Sequence, residues 1–304
     1  MEDFGFGRVL VPTDLSDFSS VALRYAALLR EKAGSNLTLL YADEVYVPVD
    51  LLEAPIGYYL ENAPQTREKL QAKFNEYAKA QIGGKFETVL VQDAPSRAIV
   101  NTAKSMHADL VVMGTHGRRG LRRAILGSVT ENVLHDSDVP VLTVRPNAMA
   151  GRQTAIKRIV CPINFTHVAR QALAKACAFA QIFDAEVSII YVVEGIDAGR
   201  VSQVETAFNQ WIEPQVRDRC RFNRVVVREG DPAERVLVTA SEQDADLIVI
   251  GAQHKFFSDA TVVGTTTQRI TRFAHCPVLT VVRQATPEIE KHDARKPEVV
   301  GIPN

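Results

Sequence analysis

Ala108-Asp-Leu-Val-Val-Met113 runs straight into Gly114-Thr-His-Gly117, and nine residues later Gly127-Ser128 opens Val-Thr-Glu-Asn132. The first run is apolar at consecutive positions, the pattern of a strand buried on both faces. Glycines after it let the backbone turn sharply and approach a ligand without a Cβ in the way. Ser128 then reads as the start of a helix, whose first N–H groups are unpaired and carry partial positive charge. Strand, glycine loop and helix N-terminus together form a place to hold phosphate. A second strand-like run, Val139-Pro-Val-Leu-Thr-Val144, closes the unit.

The same alternation extends back to the start of the chain. Strands are predicted near 7–13, 36–42, 86–91, 108–113 and 140–145, and helices near 17–33, 66–82, 95–106 and 128–136. Apolar strands alternating with helices predict a doubly wound α/β domain with a parallel sheet and helices on both faces. Ligands of such sheets bind outside the carboxyl ends of the strands. Asp14 and the Gly114 loop both follow strands, so both are placed at that rim.

The second half repeats the first. Arg8-Val-Leu-Val-Pro-Thr-Asp14 answers Arg158-Ile-Val-Cys-Pro-Ile-Asn164, and Leu37-Thr-Leu-Leu-Tyr-Ala42 answers Val187-Ser-Ile-Ile-Tyr-Val192. Ala108–Gly114 answers Ala245-Asp-Leu-Ile-Val-Ile-Gly251, and Val139–Val144 answers Cys276-Pro-Val-Leu-Thr-Val281. A repeat this long is a duplicated domain rather than a solenoid unit. The expected division is 1–146, a linker over 146–156, 157–284, and a loose charged tail over 285–304. Residues 45–65, with Pro48, Pro55, Tyr58, Tyr59 and Pro64, are expected to form a long surface excursion after the second strand.

Composition narrows the function classes. The chain has 304 residues, 46% hydrophobic and 23% charged, with a formal net charge of −1. That balance gives no whole-chain attraction to nucleic acid or membrane. No apolar run reaches the roughly 20 residues of a membrane span. The start lacks the basic and apolar segments of a signal peptide, so a cytoplasmic location is the expectation. Cys161, Cys177, Cys220 and Cys276 have no metal-ligand spacing and read as buried, reduced thiols.

On these residues the chain resembles a tandem universal stress protein. The family signature G-x2-G-x9-G-[S/T] is met by Gly114, Gly117, Gly127 and Ser128, and Pro12-Thr-Asp14-Leu-Ser16 also fits. The resemblance implies two five-stranded parallel sheets of strand order 3-2-1-4-5, often ATP binding, and pairing through the last strand of each domain. Val139–Val144 and Cys276–Val281 would then be the joining edges of a dimer-like pair within one chain, and whether two such chains form a homodimer is left open. It implies ATP, with or without Mg, as the ligand. Asp14 and Ala42 would contact the adenosine, and Gly114, Gly117, Gly127, Ser128 and Val129 the phosphates through backbone N–H groups. Pro12, Thr13, Met113, His116 and Thr130 complete the candidate set. A carboxylate accepts hydrogen bonds from hydroxyls or an amino group but repels phosphate, which agrees with that division.

Each feature also has a plainer reading. Ser128 and Glu131 form an S-x-x-E capping box, which alone accounts for a serine at a helix start. Asp14 could cap the helix beginning near Ser16 or Asp17. Arg118, Arg119, Arg122 and Arg123 could draw polyphosphate to the loop or form a solvated basic face. His116 reads as a hydrogen-bonding loop residue rather than a general base. In the second half, Gly251, Gly264 and Thr265 keep the spacing, but His254 replaces the middle glycine and Asn164 replaces the aspartate. Thr265-x-x-Gln268 keeps the capping box. The second half is therefore expected to be structural or to bind something else.

The leading expectation is an ATP-binding stress-response regulator without catalytic residues, or with slow ATP hydrolysis at most. A weak ATPase or nucleotidyl-transfer enzyme is the first alternative. Against it, the chain has no G-x4-G-K-[S/T] loop, and Gly83-Gly-Lys85 is only a fragment of one. A nucleotide-independent scaffold, binding an apolar ligand or protein through Phe256-Phe257 and the 45–65 excursion, is the other.

Overall fold

The computed structural model describes residues 5–43, 56–115, 126–145, 156–193, 200–212, 214–252, 254–257 and 260–282. The first half contains β1 (Arg8–Pro12), α1 (Asp17–Ala33), β2 (Asn36–Ala42), α2 (Ile56–Ile82), β3 (Glu87–Val91), α3 (Pro95–Ser105), β4 (Leu110–Gly114), α4 (Ser128–Asp136) and β5 (Val141–Val144). The second contains β6 (Arg158–Pro162), α5 (His167–Phe183), β7 (Glu186–Val193), α6 (Arg200–Trp211), α7 (Pro214–Arg219), β8 (Phe222–Glu229), α8 (Pro232–Glu242), β9 (Leu247–Ala252), β10 (His254–Phe257), β11 (Ala260–Val263), α9 (Thr265–Phe273) and β12 (Val278–Val282).

The strands join in the order β3-β2-β1-β4-β5-β12-β9-β6-β7-β8. Each half thus has the order 3-2-1-4-5. Val9, Leu10 and Val11 of β1 are all fully buried, as are Leu110, Val111 and Val112 of β4, because helices cover both faces. The helices α1 and α5 end where the backbone turns left-handed. Gly34 (φ 69°) donates to Arg30 O, and in the second half Asp184 (φ 52°) donates to Ala180 O.

The two halves form one sheet, not two. β12 pairs antiparallel with β5, with Val278 opposite Thr143, Leu279 opposite Leu142 and Thr280 opposite Val141. The Thr143 hydroxyl donates to Val278 O at 3.1 Å. Arg145 Nη1 donates to Arg272 O (2.9 Å) and Ala274 O (3.2 Å), carbonyls at the carboxyl end of α9. Burial lowers the pKa of this guanidinium from its usual value. On one face the core is continuous across the seam. Phe6 lies 4.6 Å from Phe179 between ring centres, and Lys175 Nζ sits 4.9 Å from the centre of the Phe6 ring.

Two segments differ from the sequence expectation. The excursion over 45–65 is shorter, because α2 begins at Ile56 and continues through Pro64; 44–55 lie outside the described residues. Proline removes one helical N–H, but a helix of 27 residues tolerates that loss when the rest of its ladder is intact. The second difference is the antiparallel hairpin β10–β11, with His254 opposite Val263 and Phe257 opposite Ala260, where a loop was expected. The tail over 285–304 and the linker over 146–155 lie outside the described residues.

Gly83-Gly84 has a structural role. Both residues have positive φ, 51° and 66°, which favours glycine. Arg30 Nη1 donates to Gly83 O (2.6 Å) and Lys85 O (3.2 Å), and its Nη2 donates to Ile82 O (2.8 Å). The guanidinium of α1 thereby caps the carboxyl end of α2, and a Cβ on Gly84 would meet Arg30 Cζ at 2.9 Å.

Candidate functional site at the first carboxyl rim

The site is built where β1 sits between β2 and β4. Thr13 N donates to Leu40 O at 2.9 Å, which holds the end of β1 beside the end of β2. Asp14 follows β1 on the rim where β2 and β4 end, at Ala42 and Gly114. Its Oδ1 accepts from Ser16 N (3.1 Å) and from the Ser16 hydroxyl (2.6 Å), across Leu15 at φ 63°. Ser16 in turn is the N-cap of α1 and accepts from Ser19 N at 3.3 Å. Asp14 therefore supports the cap rather than being the cap. Buried Thr13 bonds within the same turn, its Oγ1 2.8 Å from Ser19 Oγ and accepting from Leu15 N at 3.1 Å. Pro12 and Met113 are buried and shape the floor.

The glycine loop closes back on its own start. Thr115 N donates to Val144 O (3.0 Å), Gly127 N donates to Thr115 O (2.9 Å), and Thr130 Oγ1 donates to Gly114 O (3.0 Å). Gly114, Gly127, Ser128, Val129 and Thr130 are thus brought together at one end of α4. His116 and Gly117 lie outside the described residues, as do Arg118, Arg119, Arg122 and Arg123.

The expected capping box does not form. Gly127, at φ −65° and ψ 142°, is the N-cap, and no side chain among the described residues caps the helix. Gly127 O accepts from Glu131 N at 2.9 Å, so Ser128 is already the first helical residue. It stands one position too late to reach back as a cap. Among the described residues no side-chain oxygen stands over the first N–H groups of α4, which keep their partial positive charge. Thr130 gives its hydroxyl hydrogen to Gly114 O, so it offers this end only its backbone amide.

The second half repeats the scaffold and changes the contents. Asn164 Oδ1 accepts from Thr166 N (3.4 Å) and the Thr166 hydroxyl (2.6 Å), the same turn that Asp14 makes, with Phe165 at φ 59°. Phe165 packs 5.2 Å from Tyr191 and edge-on at 5.6 Å to Trp211, whose ring centre lies 5.1 Å from the Arg170 guanidinium. Gly264 is the N-cap of α9, again without a side-chain cap, so Thr265-x-x-Gln268 is not a capping box either. His254, at the place of the middle glycine, opens strand β10.

Gly251 has a packing reason of its own. A Cβ there would meet Val168 O at 2.8 Å, backbone at the start of α5. Gly251→Ala is expected to destabilise the protein by about 1–3 kcal/mol through this overlap. Chemical denaturation checks it, and an unchanged midpoint would remove the packing explanation.

Other chemistry-bearing residues have structural settings. Asp231 is the N-cap of α8, accepting from Glu234 N at 2.8 Å; Arg269 beside it, 2.7 Å away, and that N–H hold its carboxyl below the usual range. Burial pushes the Cys161 thiol up, and a hydrogen bond with Cys220 followed by burial does the same for Cys177. All four cysteines are buried. Thiols of this kind are poor nucleophiles. Among the described residues no group of three or more His, Cys, Asp or Glu could hold a metal ion, and no helix is long and apolar enough to cross a membrane.

Comparison with known proteins gives a consistent result. The model of the Universal stress protein family matches residues 5–145 and again 155–282. A universal stress protein of Mycolicibacterium smegmatis is 24% identical, over 90% of this chain and 96% of its own length. A universal stress protein of Methanocaldococcus jannaschii is 29% identical over 154 residues, covering 46% of this chain and 95% of its own. The crystal structure of a universal stress protein from Archaeoglobus fulgidus superimposes with a TM-score of 0.72 at 21% identity, covering 94% of this chain and all of that one, a likeness of fold.

Proposed function

The chain belongs to the universal stress protein family, and from that premise we propose that its first half binds ATP and acts as a stress-response regulator. The observation that carries this reading is the bare N-terminus of α4, held by the Gly127–Thr115 hydrogen bond on the same rim as the Asp14 turn. Backbone N–H groups of Ser128, Val129 and Thr130 would hold the phosphates, with the helix dipole favouring their charge. Asp14, beside Ala42, would accept from the nucleoside. Gly114 and Gly117 would let the backbone come close. Mg, when present, would neutralise phosphate charge. The reading is binding rather than turnover, with slow hydrolysis at most.

Asp14→Asn is the sharpest test of the nucleoside end. Asn164 makes the same turn in the second half, so the fold should accept the change. The variant loses the charge and one acceptor. About tenfold weaker ATP binding is expected, roughly 1.4 kcal/mol, with little change in melting temperature. Isothermal titration of the full chain with ATP, with and without Mg, reads it. Absent binding to the wild-type protein would end the proposal, and undiminished binding to the variant would remove Asp14 from the site.

A further inference from the structure

The seam between the halves is built about a local two-fold. Leu279 stands opposite Leu142, with Val278 opposite Thr143 and Thr280 opposite Val141. In the repeat Leu142 answers Leu279, Val141 answers Val278 and Thr143 answers Thr280. Along the paired strands the two edges therefore carry the same residues. Backbone pairing alone would let either edge join a copy of itself on another chain.

The two ends of the seam differ. β5 and β12 run antiparallel, so the end of β12 lies by the last turn of α4 and the end of β5 by the last turn of α9. At the α4 pole, Leu134 packs in one apolar cluster with Ala252 and Val282 of the second half, all three buried. At the α9 pole the answering positions hold Thr271, Thr115 and Arg145. Arg145 Nη1 donates to Arg272 O and Ala274 O there. Thr115 follows Gly114, the partner of Val144 in the sheet, and is 2% exposed. The Thr271 hydroxyl is buried without a partner among the described residues. Two second-half side chains thus enter the core beneath α4, while the core beneath α8 and α9 holds second-half residues alone among those described.

All three pairs change in the same sense, apolar at one pole and polar at the other. We infer that these six residues make each half select the other as its partner and reject a copy of itself. Two first halves joined through β5 would set Arg145 and Thr115 against Leu134 at both poles, and an apolar pocket takes a guanidinium only at high cost. Two second halves joined through β12 would leave the α9 carbonyls without Arg145 and set Thr271 against Ala252 and Val282. Only the unlike pair matches at both ends, and specificity arises from the mismatches as much as from the match. The inference is independent of the nucleotide reading.

The test builds each like pairing inside the intact chain and then undoes it. Thr115→Ala, Leu134→Thr, Arg145→Val gives the first half the residues of the second. Ala252→Thr, Thr271→Leu, Val282→Arg does the reverse. All six together exchange the poles and restore the match. Urea denaturation followed by circular dichroism reads the stability of the whole sheet. Each triple variant is expected to lose about 1 M or more in midpoint. The sixfold variant is expected to be more stable than either triple, although it carries the substitutions of both. A triple that fails to fold counts as the full loss, and the sixfold variant should still fold. Independent substitutions would simply add. A sixfold variant no more stable than both triples would therefore overturn the inference. So would triples with the wild-type midpoint, because the poles would then carry no preference.

Discussion

Gly127→Asp is expected to abolish nucleotide binding and at the same time make the protein slightly more stable. Gly127 is the N-cap of α4 at φ −65° and ψ 142°, a conformation aspartate adopts without strain. Its carboxylate would accept from first-turn N–H groups that no described side chain covers, and its charge would complement the positive end of the helix dipole. Those gains are worth a few tenths to about 1 kcal/mol. A phosphate bound at the same amides would then face a like charge about 4 Å away. At the effective dielectric of a partly buried site that repulsion is about 4 kcal/mol. Screening by solvent reduces it, and a loss of at least a hundredfold in ATP affinity is the expected result. The opposite signs make the experiment decisive, because a variant that simply misfolds lowers both quantities. Gly127→Ala is the steric control, expected to melt slightly lower and to bind more weakly than wild type but far better than the aspartate. A higher melting temperature with unaltered ATP binding would show that the bare helix end holds no phosphate.

Much of this scaffold was legible because the local signals agreed with one another. For α1, the Ser16 cap, the apolar stripe and Gly34 at the far end all mark the same boundaries, and the helix runs over Asp17–Ala33 as expected. β2 is bounded as sharply, because consecutive buried residues from Leu37 to Leu40 leave no helical alternative. The joining edges followed from family resemblance, and Val141–Thr143 against Val278–Thr280 is the pairing found. What went unread were effects of one-residue phase and of tertiary support. Ser128 satisfies the S-x-x-E spacing, but a cap is defined by backbone conformation, and that places Gly127 in the position. Lys255-Phe-Phe257 gives a weak strand signal alone, and pairing with Ala260–Val263 makes it a strand. Gly251 matches a ligand-loop glycine by spacing while the contact that requires it lies 83 residues earlier, at Val168.

Leu279→Ala, at the seam, is expected to lower the stability of both halves together by about 2–5 kcal/mol. Leu279 is fully buried and stands opposite Leu142, itself 1% exposed, across the antiparallel pair β12–β5. Truncation leaves a cavity that neither strand can fill alone, since each is fixed by parallel neighbours, β9 and β4. The same core contains Leu39 and Phe6 from the first half and Phe179 and Ile189 from the second, so the halves share buried surface beyond the strand pair. A shared core couples their unfolding, and the single tryptophan, Trp211, makes the coupling readable. Its fluorescence reports only the second half. Leu39→Ala removes buried volume in β2, four strands from the joint on the other side of the sheet's centre. If the ten strands unfold as one unit, that first-half substitution lowers the urea midpoint of Trp211 as Leu279→Ala does, and amide exchange quickens in β1 and β6 alike. Leu39→Ala leaving the Trp211 transition in place, while β1 amides lose protection, would mean the seam joins two independently stable domains. In that case a nucleotide bound at the first rim could not pass its binding energy to the second half through the sheet.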